Sequence, residues 1–175
     1  MFNSDIRVYG NHAKILKRYS KSRNRDELNQ FLIKDFSGAE RECVLFDTMM
    51  QTYLVSCALG IAKNKQAKVE TSGDEYATIF TDMITKNRSK LTKLIQFMLL
   101  VENDDLSTEA KVKKAFSVQN SSNKELEEKL KSYACAGLEI LDSYFNGCKT
   151  QEEVVNAIED LNSDYSLTDL EELKE

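Results

Sequence analysis

The sequence predicts an all-α fold: a compact multi-helix domain of seven to nine helices around a buried central helix at residues 43–62. Three observations lead there. Proline is absent and only six glycines occur in 175 residues, so long stretches carry no helix breaker. Apolar residues recur at spacings of three and four through most of the chain. The composition, 41% hydrophobic and 30% charged, is that of a globular domain, and all-β folds use more glycine and proline in their turns.

The elements follow in order. A short helix is expected from Asn11 to Tyr19, with Ile15, Leu16 and Tyr19 on one side. A second is expected from Asp26 to Lys34, capped by Asp26 and turning Leu28, Phe31 and Leu32 inward. Ser37-Gly38 breaks the pattern. From Cys43 to Ala62, Phe46, Met49, Met50, Tyr53, Leu54, Cys57 and Ile61 form one face, and Val44, Leu45, Val55 and Leu59 fill the other. A helix apolar nearly all round is buried on most sides. Lys68–Thr71 reads as a short extended piece. Asp74–Lys86 reads as a helix with Tyr76, Ile79, Phe80, Met83 and Ile84 on one face. Lys90–Glu102 follows, either as its bent continuation or as an antiparallel partner, with Leu91, Leu94, Ile95, Met98 and Leu99 inward. After the turn at 103–105, Ser107 opens a short helix.

The stretch 119–123, Gln-Asn-Ser-Ser-Asn, is an internal loop, because its side chains compete with helical hydrogen bonds. Lys124–Phe145 is a long amphipathic helix whose middle, Ala134, Ala136 and Gly137, is narrow enough to let another helix approach. Thr150-Gln-Glu-Glu opens a further helix to about Leu161 through a capping box. Leu167, Leu170 and Leu173 then mark a short acidic helix. The organisation is one domain with a basic N-terminal helical arm (1–40), a helical core (41–161) and an acidic amphipathic end (162–175).

Charge is uneven along this plan. Arg7, Lys14, Lys17, Arg18, Lys21, Arg23 and Arg25 crowd one segment without an acid, while residues 150–175 hold nine acids and one base. Clustered cations neutralise phosphates. Lys63, Lys65 and Lys68 form a second basic set, and Lys86, Arg88, Lys90 and Lys93 a third. If these sets converge they make a surface for DNA or for an acidic protein. Leu167, Leu170 and Leu173 are the partner-docking candidates, since a helix this short does not hold itself folded in water.

No catalytic residues are assigned. His12 is the single histidine, and it is expected on the surface or against a ligand, since a nucleophile needs a positioned base and nothing points to one. No phosphate-binding glycine loop is present. The four cysteines, Cys43, Cys57, Cys135 and Cys148, lie 14, 78 and 13 positions apart, which is no metal-ligand spacing. No metal or other cofactor is expected. With no secretory signal and no membrane span, the expected location is cytoplasmic, with reduced thiols.

Phe46, Met49, Ala58, Leu59 and Gly60, followed by the basic turn Lys63-Asn64-Lys65, resemble the pattern of small accessory proteins of bacterial anti-phage operons linked to DNA phosphorothioation (Dnd). Tyr76–Phe80 and the helix from Leu91 to Val101 suit that pattern. The resemblance implies an operon-encoded, non-enzymatic accessory subunit, contacting DNA or a nuclease or ATPase partner. The alternatives are a stand-alone nucleic-acid-binding regulator and a phage-encoded inhibitor acting through an acidic surface.

Overall fold

Two helices cross with their backbones in contact at the centre of the molecule. They are α2 (Met49–Ala62) and α6 (Lys124–Phe145), and no other pair of elements packs so extensively. Glycine makes the approach possible. A Cβ on Gly60 would lie 2.0 Å from the Tyr133 carbonyl oxygen, and one on Gly137 would lie 1.7 Å from that of Ser56. Met50, Tyr53 and Cys57 of α2 and Leu130, Tyr133, Leu138 and Leu141 of α6 form the inner core. The structure, a computed structural model, describes residues 2–21, 30–102, 105–117 and 124–165.

The central helix starts later than its apolar run. Thr48 Oγ1 accepts the Gln51 amide at 3.2 Å, and Gln51 Oε1 accepts the Thr48 amide at 3.1 Å. This capping box sets the start of α2, so residues 43–48 are not helical, against the expected start at Cys43. Their backbone is engaged elsewhere: the Phe46 amide donates to the Tyr19 carbonyl at 3.0 Å, and the Phe46 carbonyl accepts the Lys21 amide at 2.8 Å.

Helix α1 (Gly10–Tyr19) packs on α2 and α6, and it is preceded by strand β1 (Ile6–Tyr9). The fold is therefore mostly but not purely helical. β1 pairs antiparallel with β4 (Tyr76–Ile79), placing Ile6 opposite Ile79 and Tyr9 opposite Tyr76. The sequence pattern predicts a helix at β4 instead. Its residues satisfy both periods, but Ala77 and Ile79 point inward while Tyr76 is exposed, the alternation of a strand with a partner. Helix α3 (Thr81–Lys86) follows, and Asn87 separates it from α4 (Arg88–Val101). The expected pair is thus a short helix and a long one. Lys68–Thr71 forms no regular element.

The second sheet is a hairpin, β2 (Leu32–Lys34) with β3 (Glu40–Glu42), where Leu32 faces Glu42 and Lys34 faces Glu40. Asp35 Oδ1 accepts the Ser37 amide at 2.9 Å and the Ala39 amide at 3.0 Å, and Gly38 takes φ +82°, as such a turn requires. Residues 32–34 are consequently a strand, not the end of the expected helix from Asp26. Positions 26–29 lie outside the described residues. Phe31 and Ile33 are buried and Leu32 is exposed.

Helix α5 (Thr108–Ser117) packs on α4. Helix α7 (Gln151–Asp164) opens on the expected Thr150–Glu153 capping box and runs past Leu161. The described residues thus form seven helices and two small antiparallel sheets. Among them no helix is long and apolar enough to cross a membrane. The loop 119–123 and the leucines at 167, 170 and 173 lie outside the described residues.

Candidate partner-binding surface

The non-helical segment 43–48 is one place where the molecule leaves apolar surface open. Val44 is exposed, and Leu45 and Phe46 are half-buried. Leu45 and Phe46 form one end of a groove of about 590 Å³ between α2 and α4. Leu54, Val55 and Ala58 of α2 form one wall, and Leu94 and Phe97 of α4 form the other. Phe97 is 59% exposed. Asp47, Gln51, Lys90 and Lys93 add polar and charged groups to the lining. Leu45 also borders a second groove with Ile33, Val154 and Ile158, and Asp47 a third with Lys21, Phe80 and Met83. Three depressions thus meet at one extended segment.

The helical geometry explains the groove. Gln51, Val55 and Ala58 follow one another at i, i+4 and i+7, turned away from the face that meets α6. Lys90, Lys93, Leu94 and Phe97 form a like stripe on α4. The signal was present in the sequence: Phe97 is a large aromatic residue outside the inward set Leu91, Leu94, Ile95, Met98 and Leu99. Leu94, expected inside, is half-buried and lines the groove.

Of the described basic residues singled out from the sequence, Lys90 and Lys93 line the groove and the others do not. Lys17 Nζ lies 2.5 Å from Glu75 Oε1. Arg18 Nη1 lies 3.2 Å from Asp142 Oδ1 and donates to Asn146 Oδ1 at 3.0 Å. Lys65 lies 3.8 Å from Glu139, and Lys63 stands 4.7 Å over the Tyr165 ring. Arg88 donates to Asn3 at 3.1 Å. Arg7 on β1, Lys14 on α1, Lys21 and Lys86 are exposed. Arg23 and Arg25 lie outside the described residues. Three of the cations therefore meet carboxylates far away in sequence, which a scan for local acids does not see.

His12 is buried rather than at the surface, with Nε2 3.1 Å from Glu139 Oε1. Its Nδ1 has no hydrogen-bond partner among the described residues. Burial and the bond it donates to Asp142 at 2.7 Å push the Tyr19 phenol well up. Burial holds the Cys135 thiol at about 12 and raises Cys57 well above the ordinary thiol range. Cys43 and Cys148 are half-buried, and burial raises them too. All four are free thiols. Among the described residues, no group of His, Cys, Asp and Glu is placed to hold a metal ion.

Residues 20–174 match the family model described as DNA sulphur modification system-associated protein 4. The chain belongs to that family. No curated protein and no solved structure matches it. The family match bears out the resemblance carried by residues 46–65 and extends it over most of the chain. The whole α2–α4 groove lies inside the matched span, together with the segment 43–48 and α7.

Proposed function

We propose that this chain is a non-enzymatic accessory subunit of a DNA sulphur modification-linked defence complex, and that the α2–α4 groove holds a nuclease or ATPase partner. The observation that carries the reading is the open apolar groove at the junction of three depressions, with Phe97 exposed on its wall. A large aromatic side chain left uncovered beside other apolar groups marks an interaction site more often than a lone surface residue does. Covering a Phe fully contributes about 1.5–3 kcal/mol. Phe97 already hides part of its surface, so about 1–2 kcal/mol remains for a partner.

The test is co-purification of the tagged chain from its native host, with and without nuclease treatment. Phe97→Asp should lose the partner while its melting temperature stays within about 2 °C of the parent, as for an exposed position. Retention of the partner by the folded variant overturns the groove as the docking site.

A second reading, direct contact with DNA, is favoured by Lys86, Lys90 and Lys93, which are exposed. Replacing all three with Gln should reduce the log–log salt slope of duplex binding by about 0.9 for each phosphate that is no longer neutralised. An unchanged slope assigns these lysines to a protein surface or to solvent.

A further inference from the structure

Among the described residues, strand β4 has one sheet neighbour, β1. The Gly10 amide donates to the Glu75 carbonyl at 2.9 Å, which makes these residues a hydrogen-bonded pair, one step beyond Tyr9 and Tyr76. Bonded and non-bonded pairs alternate along an antiparallel ladder. Val8 with Ala77 and Ile6 with Ile79 are therefore the bonded pairs of the register. The amides and carbonyls of Tyr76 and Thr78 point the other way, out of the sheet edge. Among the described residues, no other main-chain hydrogen bond reaches either of them.

Edge strands invite pairing with another chain, and folded proteins guard them with charge, proline, bulges or cover. The other edges of this fold are guarded. β3 is Glu40-Arg41-Glu42, all exposed. The outer side of β2 is covered by the stretch after α6, where the Lys149 carbonyl accepts the Lys34 amide at 2.8 Å. β1 carries the exposed Arg7. β4 is Tyr-Ala-Thr-Ile, without charge or proline, and its register with β1 runs without a bulge. Tyr76 is 52% exposed and Phe80, just past the strand, 60%. Thr78 and Phe80 line a groove of about 720 Å³ with Met49 and Met83. The charges lining that groove are of both signs, Lys21 with Asp47 and Asp82.

We propose that β4 pairs with β4 of a second copy of this chain, antiparallel about a two-fold axis at Ala77. Tyr76 then faces Thr78 of the second copy, and Thr78 faces its Tyr76. These are the residues whose main-chain groups are open, so each facing pair exchanges both hydrogen bonds. Ala77 meets Ala77 in the intervening non-bonded pair, where the Cα atoms come closest and a small side chain fits. Facing side chains share one side of a sheet, so the Tyr76 ring lies beside the second copy's Thr78 on the outer face. The product is one continuous sheet of order β1-β4-β4-β1, and a two-stranded ribbon that is marginal alone becomes half of a wider sheet. A surface that meets itself across a two-fold axis needs a self-matching register and mixed charge, and this edge has both. An extended strand of another protein would use the same open groups, but nothing in the edge selects its side chains, whereas the register selects a second copy. The pairing does not depend on what fills the α2–α4 groove.

Sedimentation velocity of the full chain over about 1–200 μM, a range that brackets micromolar association, is the test. The mass should double as the concentration rises. Thr78→Pro removes the amide that the second copy uses but none that β1 uses, and the extended Ala77 suits the position before a proline. This variant should keep a melting temperature within about 2 °C of the parent at high dilution. Its association midpoint should move up about 10-fold or more. Tyr76→Glu with Thr78→Glu is the second variant. It sets like charges opposite each other across the axis, while the new carboxylate at position 78 faces Arg7 within the chain, and it should stay monomeric. Amide exchange of the unaltered chain, resolved by NMR, gives a readout that needs no variant. Tyr76 and Thr78 should exchange slowly at high concentration and fast at low, while Ala77 and Ile79 stay slow at both. A monomer throughout the range overturns the proposal. So does a dimer that keeps fast exchange at Tyr76 and Thr78 or survives both variants, because its interface is elsewhere. Protection of those two amides only in a complex with another protein also overturns it and assigns the edge to that protein's strand.

Discussion

Gly137→Ala tests the central crossing, because its methyl group has nowhere to go. The new Cβ would sit 1.7 Å from the Ser56 carbonyl oxygen, where ordinary contact begins at 3.4 Å. The two backbones must then part by up to about 1.7 Å at the crossing, the difference between those two distances. Neither side can yield by rotating a side chain, since the obstacle is the α2 backbone. Overpacking a filled core costs about 1–3 kcal/mol, and the rigid obstacle puts this case near 3. Alanine returns about 1 kcal/mol through its better helix propensity. The net loss is about 2 kcal/mol, or about 4–8 °C of melting temperature for a chain of this size. Gly60→Ala should act in the same way, since its Cβ would lie 2.0 Å from the Tyr133 oxygen. The double variant should lose less than the sum, because one separation relieves both clashes. Gly147→Ala, which meets nothing within 4 Å, is the control and should stay within about 0.5 kcal/mol. The measurement is thermal and urea unfolding followed by circular dichroism. A melting temperature that rises in Gly137→Ala, as propensity alone requires, would refute the close crossing.

Thr48→Ala and Thr150→Ala should each cost about 1 kcal/mol in urea unfolding, because each removes the side-chain acceptor of a capping box. Tyr19→Phe should cost about 1 kcal/mol by the same assay, since it deletes a part-buried bond to Asp142 but leaves that carboxylate paired with Arg18. The Ser37 hydroxyl lowers the Asp35 carboxyl below its ordinary value of 3.8, and the Lys149 amide lowers Glu153 below 4.5. A carboxyl depressed in the folded state stabilises it fully above its ordinary value, and that contribution disappears as pH falls through the lower folded value. The melting temperature should therefore decline below pH 4.5, and less steeply in the double variant Asp35→Asn with Glu153→Gln. An equal decline in parent and variant would show that neither carboxylate contributes. Under native conditions a thiol reagent at about pH 8 should leave Cys57 and Cys135 unmodified for as long as the fold persists, whereas all four cysteines should react in urea; prompt labelling of Cys57 in folded protein would contradict its burial.

Much of the helical plan is a local property of the chain, and it was legible as such. The bounds of α6, the opening of α7 at Thr150 and the inward set Ile15, Leu16 and Tyr19 of α1 depend on neighbours three or four positions away. Gly137 likewise announced a close helix approach, although not that Gly60 of α2 would stand at the same crossing. The start of α2 was also written locally, in Thr48-Met-Met-Gln51, but the apolar run reaching back to Cys43 masked it. Tertiary structure decided the rest. Tyr76–Ile79 supports a helix or a strand equally well by its own pattern, and Ile6–Tyr9, some seventy positions earlier, supplies the hydrogen bonds that select the strand. Leu32–Lys34 becomes a strand for the same reason, through Glu40–Glu42. Lys17 and Arg18 looked like a free basic surface, and His12 like a surface or ligand-contacting residue, because Glu75, Asp142 and Glu139, their partners, are brought to them only by folding. The groove arises in the same way: Leu54, Val55 and Phe97 are ordinary apolar residues of two helices, and the groove left between those helices keeps Phe97 exposed and Leu54 and Val55 only half-buried. Local sequence sets which way a side chain points along its own element, but pairing, burial and open surface depend on what stands opposite, and that is a property of the assembled chain.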